Sequence, residues 1–337
     1  MSQLQLYKET TKSKLIKVTR ESNMPLLGLI HIGVIDRGSS LLQVRASTYC
    51  NMKCTFCSTS ANSEIHEYNY EIELDYLLDW IKEAIRLKEN NINNINIDSV
   101  GEPAAYPKIT ELVKACKSLP NIEYVTMQSN GTLLTEQKIK SLEEAGLNRI
   151  NLSIHSLGKE YSKELFGSDN YNIERIEKTL ELINNSKIEL NLTPVYLPGM
   201  NEKDIEEIIL LAKKLNCKIS IQKYEQFRYS RKEERTEEIR WFKFYKKLEE
   251  WEAKFNIKLK LGPIDFKIKR AKFIPLILKK GDVLRAKVIM PGWIKNEMIA
   301  EANNRAITIF NCNNKINDLV KIKILSTKDG IYLAKAI

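Results

Sequence analysis

The chain has 337 residues, of which 43% are hydrophobic and 28% charged, and its formal net charge is +10. This length suffices for one large and one small domain, and the composition is typical of a globular protein rather than a disordered or fibrous one. No apolar run is long enough to span a bilayer, and residues 1–20 lack a secretory apolar core, so we predict a cytoplasmic protein with no membrane partner. Six cysteines in a chain of this length do not suggest a disulfide framework.

The first two parts of the chain are predicted as an extension and an α/β body. Residues 1–40 form an N-terminal extension with a hairpin, in which Asp36-Arg37-Gly38 is the turn. The body, 41–265, has six predicted strands, over 41–47, 94–100, 122–128, 149–154, 188–194 and 218–222. Helices alternate with them over 73–89, 107–118, 135–145, 172–185 and 201–215, and an amphipathic helix follows over 236–255. This alternation predicts a partial (β/α)6 barrel whose site lies at the carboxyl ends of the strands.

Residues 267–337 differ from this body in both pattern and charge. Short strands are predicted over 281–289, 305–310, 319–325 and 331–334, which suggests a small all-β barrel of the oligonucleotide-binding (OB) type. The segment holds 15 Lys and Arg against five Asp and Glu, so it carries the net charge of the whole chain and favours a polyanionic partner. The candidate RNA-binding residues are Lys279, Lys280, Arg285 and Lys287. A lysine-rich surface without a partner, an inert lid or a dimerisation module are the alternatives.

This basic segment also resembles a known RNA-binding module. Gly281-Asp282-Val283, the rhythm of strands and turns, and the charge are similar to those of a TRAM domain, an appendage of several tRNA-modifying enzymes. The resemblance implies that RNA is the partner, with tRNA favoured.

Three closely spaced cysteines follow the first predicted strand of the body. Cys50, Cys54 and Cys57 have a C-x3-C-x2-C spacing, and three such thiolates can hold three irons of a [4Fe-4S] cluster while a fourth stays open to a small molecule. A structural zinc site is the alternative, although zinc usually takes four ligands and His66 is the nearby candidate for the fourth. With Phe56 before the last cysteine, the segment resembles the cluster motif of the radical S-adenosylmethionine (SAM) superfamily.

That resemblance implies two cofactors, a [4Fe-4S] cluster and SAM, and an external electron donor. In the superfamily, an electron from the cluster cleaves SAM into methionine and a 5′-deoxyadenosyl radical, which abstracts hydrogen from a substrate carbon. The resemblance extends to positions that follow the predicted strands, and it assigns SAM binding to Gly101, Glu102, Pro103, Asn130, Ser153, Val195 and Gln222. Val100 stands where the family usually has a further glycine.

Two other residues are candidates for catalysis. His155 stands where the family often has an aspartate, and a histidine can donate, accept or be protonated; a hydrogen-bonded structural histidine is the alternative. Cys312 is a candidate methyl carrier, because radical methyltransferases that act on RNA bases often employ additional cysteines. Cys116 and Cys217 are the other candidates, and methyl transfer without a cysteine carrier stays open.

The favoured interpretation is a radical SAM enzyme that modifies a nucleobase in RNA, above all tRNA, by carbon methylation. One alternative is a small-molecule enzyme that resembles the cyclase of molybdopterin synthesis, although such cyclases carry a second cysteine cluster near the C-terminus, where only Cys312 lies. A peptide-modifying enzyme and a non-enzymatic iron–sulfur RNA-binding protein are the others. Methylthiotransferases carry further cysteines on an N-terminal domain, and no cysteine precedes Cys50 in this sequence.

Overall fold

The computed structural model describes residues 14–337, so part of the extension predicted over 1–40 lies outside the described residues. The strands of the body are β1 (Lys14–Val18), β2 (Gly33–Asp36), β3 (Leu41–Arg45), β4 (Tyr68–Ile72), β5 (Asn94–Asp98), β6 (Tyr124–Ser129), β7 (Arg149–Leu152), β8 (Glu189–Leu192), β9 (Val195–Tyr196), β10 (Lys218–Ile219) and β11 (Gln222–Lys223). Each of the six predicted strands of the body overlaps one of these strands.

A seven-stranded sheet forms the centre of the body, in the order β10-β8-β7-β6-β5-β3-β2. Six of its strands run parallel, and β2 pairs antiparallel with β3 through the turn at Asp36-Arg37-Gly38. The hairpin therefore extends the sheet by one edge strand. Because the carboxyl ends of the parallel strands meet at one edge, the loops after β3, β5, β6, β7 and β8 come together there.

The helices of the described residues are α1 (Leu74–Leu87), α2 (Ile109–Lys117), α3 (Glu136–Glu144), α4 (Lys159–Phe166), α5 (Ile173–Asn184), α6 (Glu202–Lys214) and α7 (Trp241–Phe255). Side-chain caps begin two of them at the predicted positions. The Thr135 hydroxyl accepts from the Lys138 N–H at 3.2 Å, and Oδ1 of the Asn172 side chain accepts from the Arg175 N–H at 2.9 Å. No helix in residues 14–337 is both long enough and apolar enough to cross a bilayer.

A five-stranded closed barrel follows the body. Its strands are β12 (Val283–Pro291), β13 (Glu297–Ala302), β14 (Arg305–Phe310), β15 (Leu319–Ser326) and β16 (Tyr332–Ala336), in the order β12-β13-β14-β16-β15. Along β12 and β15 buried residues alternate with exposed ones, as expected when one face of a strand covers a core. The predicted small barrel is present, with one strand more than the sequence indicated.

The sequence analysis missed five of these helices and strands: β1, β4, β9, α4 and β13. The segment Glu-Met-Ile-Ala-Glu-Ala of β13 favours a helix by intrinsic propensity, yet it pairs with β12 on one side and β14 on the other. Pairing on both sides outweighs local preference there, because each strand position gains cross-strand packing.

The small barrel packs closely on the body. Met290, Trp293, Ile299 and Ala306 belong to the hydrophobic core of the body, while other barrel residues form a second core. The backbone N–H of Ala306 also donates to Leu27 O at 2.9 Å. The barrel therefore does not depend on its own core alone.

Candidate iron–sulfur and cofactor site

The loop after β3 carries the three cysteines and is held in shape by an arginine from a distant part of the chain. The Arg231 guanidinium donates to Cys54 O at 2.8 Å and to Ala61 O at 2.7 Å, and its backbone N–H donates to Cys57 O at 2.8 Å. Within the loop, the Cys57 N–H donates to Cys54 O at 3.2 Å. Sequence reasoning missed Arg231, since a residue 177 positions from its partner leaves no local pattern.

The environment of the thiols suits a metal cluster. Burial raises the pKa of the Cys50 thiol to about 12, and burial followed by the neighbouring Cys50 and Cys57 raises that of Cys54 well above its usual value. A nearby cation favours the thiolate forms of Cys50 and Cys54, and the irons of a cluster supply that charge. The donor set thus fits the cluster that the spacing predicted.

The zinc alternative needs His66 as the fourth ligand, and the structure uses this imidazole elsewhere. Its Nε2 lies 3.1 Å from Thr59 O, its Nδ1 lies 3.3 Å from Trp293 O, and its ring stacks on Trp293 at 4.1 Å. Among residues 14–337, no three His, Cys, Asp or Glu side chains are arranged around one metal position. That finding is compatible with a cubane, in which each thiolate binds a different iron and the ligands lie farther apart.

The segment after β5 approaches the cysteine loop so closely that only glycine fits. A Cβ on Gly101 would lie 1.9 Å from Tyr49 O, which explains the glycine at this position. At Val100, where the family pattern has another glycine, the backbone carbonyl accepts from the Thr59 hydroxyl at 2.7 Å. Both contacts bind the β5 loop to the cysteine loop.

Glu102 lies between three loops and is 1% exposed. Its Oε1 accepts from the Ala104 N–H at 3.0 Å and from the Ser129 hydroxyl at 2.7 Å, and its Oε2 accepts from the Asn130 N–H at 2.7 Å. Its own N–H donates to Tyr49 O at 2.5 Å. Burial raises the pKa of this carboxyl, against the opposing effect of these donors. Glu102 therefore braces the loops of the site by joining them through hydrogen bonds. The sequence analysis had assigned this residue to SAM binding only.

Asn130 is also engaged within the protein. Its Nδ2 donates to Asn51 Oδ1 at 2.9 Å, and its Oδ1 accepts from the Thr132 N–H at 3.0 Å and the Thr132 hydroxyl at 2.6 Å. Because Asn51 belongs to the cysteine loop, the amide connects this loop to the one after β6. Asn130 thus lies beside the site with most of its hydrogen-bonding capacity already used.

Polar side chains at the ends of β6, β7 and β8 form a row beside the cysteines. Gln128 Nε2 donates to Ser153 Oγ at 3.2 Å and to Thr193 Oγ1 at 3.0 Å. Gln128 was not selected from the sequence, although its place at the end of a parallel strand is the signal that could have found it. The row offers hydrogen-bonding groups to a polar ligand at the carboxyl edge of the sheet.

His155 is buried as a neutral imidazole. Its Nδ1 accepts from the Val195 N–H at 3.0 Å, which assigns the ring proton to Nε2. Its ring packs against Phe56 at 4.7 Å and Phe166 at 4.9 Å, and burial lowers its pKa to about 3. Burial and the hydrogen bond that Nδ1 accepts both favour the neutral imidazole, and Nε2 is the ring nitrogen that can donate.

One cavity of about 350 Å³ collects the cysteines and the predicted cofactor residues, and we call it the cluster cavity. Its lining includes Cys50, Cys54, Cys57, Gly101, Glu102, Pro103, Asn130, Ser153, His155, Val195 and Gln222. Gln222 lies beside Val195 because β11 pairs in parallel with β9. Residues that are far apart in the sequence thus meet at the carboxyl edge of the sheet.

Cys312 is not among the residues that line this cavity. It is 3% exposed in the core of the small barrel, where its Sγ lies 3.4 Å from Asn314 Oδ1. Cys116 is buried within α2, and Cys217 packs against the core of the body from the loop before β10. The structure therefore places the side chain of Cys312, the predicted methyl carrier, in the barrel core and outside the lining of the cluster cavity.

The predicted RNA-binding cations lie on the surface of the small barrel. Lys279 and Lys280 precede β12, and Arg285 and Lys287 are exposed on it. Lys287 faces Glu301 across the β12–β13 pair.

Neighbouring strands add cations that the sequence analysis did not select. Arg285 lies opposite Lys321 of β15, and Lys323 of β15 lies opposite Lys335 of β16. These four residues are exposed on one face, and we call them the basic stripe. Within residues 14–337, none of the four forms an ion pair.

Comparison with known proteins gives matches of two kinds. The sequence model of the radical SAM superfamily matches residues 44–212. The "Uncharacterized protein MJ0103" of Methanocaldococcus jannaschii is 33% identical in an alignment 360 residues long, gaps included, which covers 98% of this chain and 83% of that protein. A GTP 3′,8-cyclase of Clostridium perfringens (strain SM101) is 31% identical over 175 residues, covering 51% of this chain and 51% of the cyclase.

Among solved structures, Streptococcus suis SuiB bound to S-adenosylmethionine aligns with a TM-score of 0.52 and 20% identity, over 70% of this chain and 49% of that one. The chain thus spans about half the length of the cyclase and of SuiB. The likeness to SuiB concerns the fold.

Proposed function

Because the chain belongs to the radical SAM superfamily, we propose that it modifies a nucleobase in RNA, with tRNA as the favoured substrate and carbon methylation as the favoured outcome. Its cofactors are SAM and a [4Fe-4S] cluster, and the cluster when bound supplies the electron that cleaves SAM. An external electron donor and a cytoplasmic location are part of the proposal.

The observation that carries the RNA proposal is the basic stripe. Like charges placed directly opposite each other on paired strands destabilise a sheet, and the stripe contains two such pairs, Arg285 with Lys321 and Lys323 with Lys335. A bound polyanion relieves that repulsion, and the release of its counterions favours binding. A face of this kind supports phosphate contacts, which position a nucleic acid without reading its sequence.

The residues of the cluster cavity have separate tasks in this proposal. Cys50, Cys54 and Cys57 hold the cluster, and Arg231 maintains the shape of their loop. Glu102 keeps the surrounding loops in place, while the row of Gln128, Ser153 and Thr193 offers hydrogen bonds to SAM or substrate. His155 contributes a neutral N–H donor, and the residues of the cavity orient the reacting groups.

Methyl transfer in this proposal does not use a cysteine carrier on the chain. Among the described residues, the cluster cavity is lined by the three cluster cysteines and by none of Cys116, Cys217 and Cys312.

The test is mass spectrometry of tRNA nucleosides from cells that lack the gene. We expect one modified nucleoside to disappear, to return with the wild-type gene, and to stay absent with Cys54→Ala. Unchanged tRNA nucleosides, together with SAM cleavage by the purified protein, would contradict tRNA as the substrate and leave the enzyme class intact.

A nucleoside triphosphate is the second candidate substrate, favoured by the 31% identity to a GTP 3′,8-cyclase. Two observations weigh against it: the match covers 51% of that cyclase, and Cys312, the only cysteine near the C-terminus, lies in the barrel core. Incubating the reduced, cluster-loaded protein with SAM and GTP separates the candidates, since a cyclase consumes GTP and an RNA-modifying enzyme leaves it unchanged.

A further inference from the structure

A second cavity, of about 780 Å³, adjoins the cluster cavity, and we call it the bridging cavity. The two share Ser58, Val100, Glu225 and Phe227 in their linings. The bridging cavity continues between the body and the small barrel, where Trp293, Thr308 and Leu333 line it. The bridging cavity therefore lies between the cluster cavity and the residues of the small barrel that line it.

A third cavity of about 440 Å³ continues the same path, and we call it the outer groove. It shares Arg228, Tyr229, Glu297 and Phe310 with the bridging cavity, and Lys335 also lines it. Lys335 is also the last member of the basic stripe, opposite Lys323. The three cavities thus form one path from the cluster cysteines to the barrel cations.

Aromatic side chains lie along this path. Phe227 is 54% exposed where the cluster cavity meets the bridging cavity, and Tyr229 and Phe310 line both the bridging cavity and the outer groove. A phenylalanine so exposed is unfavourable in water, and a planar ligand that covers its face removes that cost.

The path also carries exposed cations and two carboxylates. Arg228 and Lys295 are exposed in the outer groove, and the Arg228 guanidinium lies 5.1 Å from the centre of the Tyr229 ring. Glu225 and Glu297 line the path as well, and a carboxylate accepts hydrogen bonds from the amino groups of bases. Aromatic faces between cations are the combination that binds single-stranded nucleic acid.

We propose that this path binds a single-stranded segment of the RNA substrate. The backbone of the segment lies along Lys335, Lys295 and Arg228, and its bases stack on Phe310, Tyr229 and Phe227, so that the last base enters the cluster cavity. This inference rests on the proposed function, because it takes RNA as the substrate. It assigns sequence-tolerant stacking to the aromatic side chains and contact with the phosphates of this segment to Lys335, Lys295 and Arg228.

Fluorescence anisotropy with the cluster-loaded full chain tests the path, using a labelled single-stranded RNA and a fully paired RNA duplex as probes. Tyr229→Ala and Phe310→Ala should each weaken single-strand binding about tenfold, since one stacked base contributes about 1–3 kcal/mol. Duplex binding should change less than twofold, because paired bases are already stacked. The matched control is Phe242→Ala on α7, an aromatic residue 79% exposed outside the three cavities, and it should leave both affinities unchanged.

Iron content separates a folding defect from a binding defect, and Phe310→Leu keeps the apolar volume of the barrel strand while it removes the ring. The path is refuted if Phe310→Leu and Tyr229→Ala bind the single-stranded RNA with wild-type affinity. The proposed function still stands in that case if Arg285→Ala and Lys321→Ala lose affinity for tRNA. If wild type binds neither tRNA nor single-stranded RNA, both fall.

Discussion

Glu102 braces the loops around the cluster cavity, and Glu102→Gln tests that role directly. Glutamine keeps the size of the side chain but replaces one acceptor oxygen with an amino group. In one orientation this group faces the Asn130 N–H, and in the other it faces the Ala104 N–H. In both orientations, a buried backbone N–H loses its acceptor.

The magnitude follows from these bonds. One unsatisfied buried N–H costs about 1–3 kcal/mol, and the bonds that remain lose the assistance of the negative charge. Relief of the burial that raises the Glu102 pKa offsets part of the loss. We therefore expect the free energy of unfolding to fall by about 1–3 kcal/mol, which lowers the midpoint of thermal unfolding by about 2 °C per kcal/mol in a chain of this size.

The assay is thermal unfolding of the cluster-free protein without SAM. Under these conditions a change in stability reports the hydrogen bonds of Glu102 within the protein and no contact with SAM. Ser129→Ala is the matched control: it removes one donor to Oε1 and leaves both backbone N–H groups satisfied, so its loss should be smaller. The two losses should not add in the double variant, since both act on one network. If Glu102→Gln unfolds at the wild-type temperature yet binds SAM more weakly, the side chain is a SAM ligand and the brace argument is wrong.

Three further predictions concern the cluster, pH and salt. Wild type reconstituted without oxygen should bind about four irons per chain and Cys54→Ala far fewer, so full iron content in the variant would contradict the ligand assignment. Burial raises the pKa of Glu297 to about 7, above its value of about 4.5 in the unfolded chain, so the free energy of unfolding should fall by at most about 3 kcal/mol as pH rises through that window. Glu297→Gln should flatten this fall in urea titrations, and an unchanged slope would exclude Glu297 as its source. The double variant of Arg285→Ala and Lys321→Ala should make the slope of log affinity against log salt concentration for tRNA shallower by about 0.9 for each duplex phosphate that these side chains neutralise. The control Lys178→Ala, at an exposed position on α5, should leave the slope unchanged. Equal slopes in the double variant and wild type would mean that the stripe does not bind phosphate.

The sequence by itself determined the features that arise from neighbours along the chain. Apolar periodicity is a local property, so it predicted the six parallel strands and the helices between them. The Thr135 cap and the turn at Asp36-Arg37-Gly38 likewise depend on a few consecutive residues. The spacing of Cys50, Cys54 and Cys57 indicated the cluster because three ligands of one group must lie close together in space.

Which of the other residues of the site come into contact was determined only by the tertiary structure. Glu102 binds donors from the loop after β6, and Arg231 holds a loop 177 residues away, so neither role leaves a pattern in the neighbouring sequence. Burial also became known only from the tertiary structure. It lowers the pKa of His155 and so favours the neutral imidazole, and the Cys312 side chain lies in the barrel core.

Strand register determined which cations form the basic stripe. The charge count located the cations in residues 267–337, but the pairing of β12 with β15 and of β15 with β16 is what places four of them on one face. A shift by one residue would turn alternate side chains into the core. Composition therefore located the positive charge, and register, which depends on contacts between distant segments, determined which of the cations lie together on the surface.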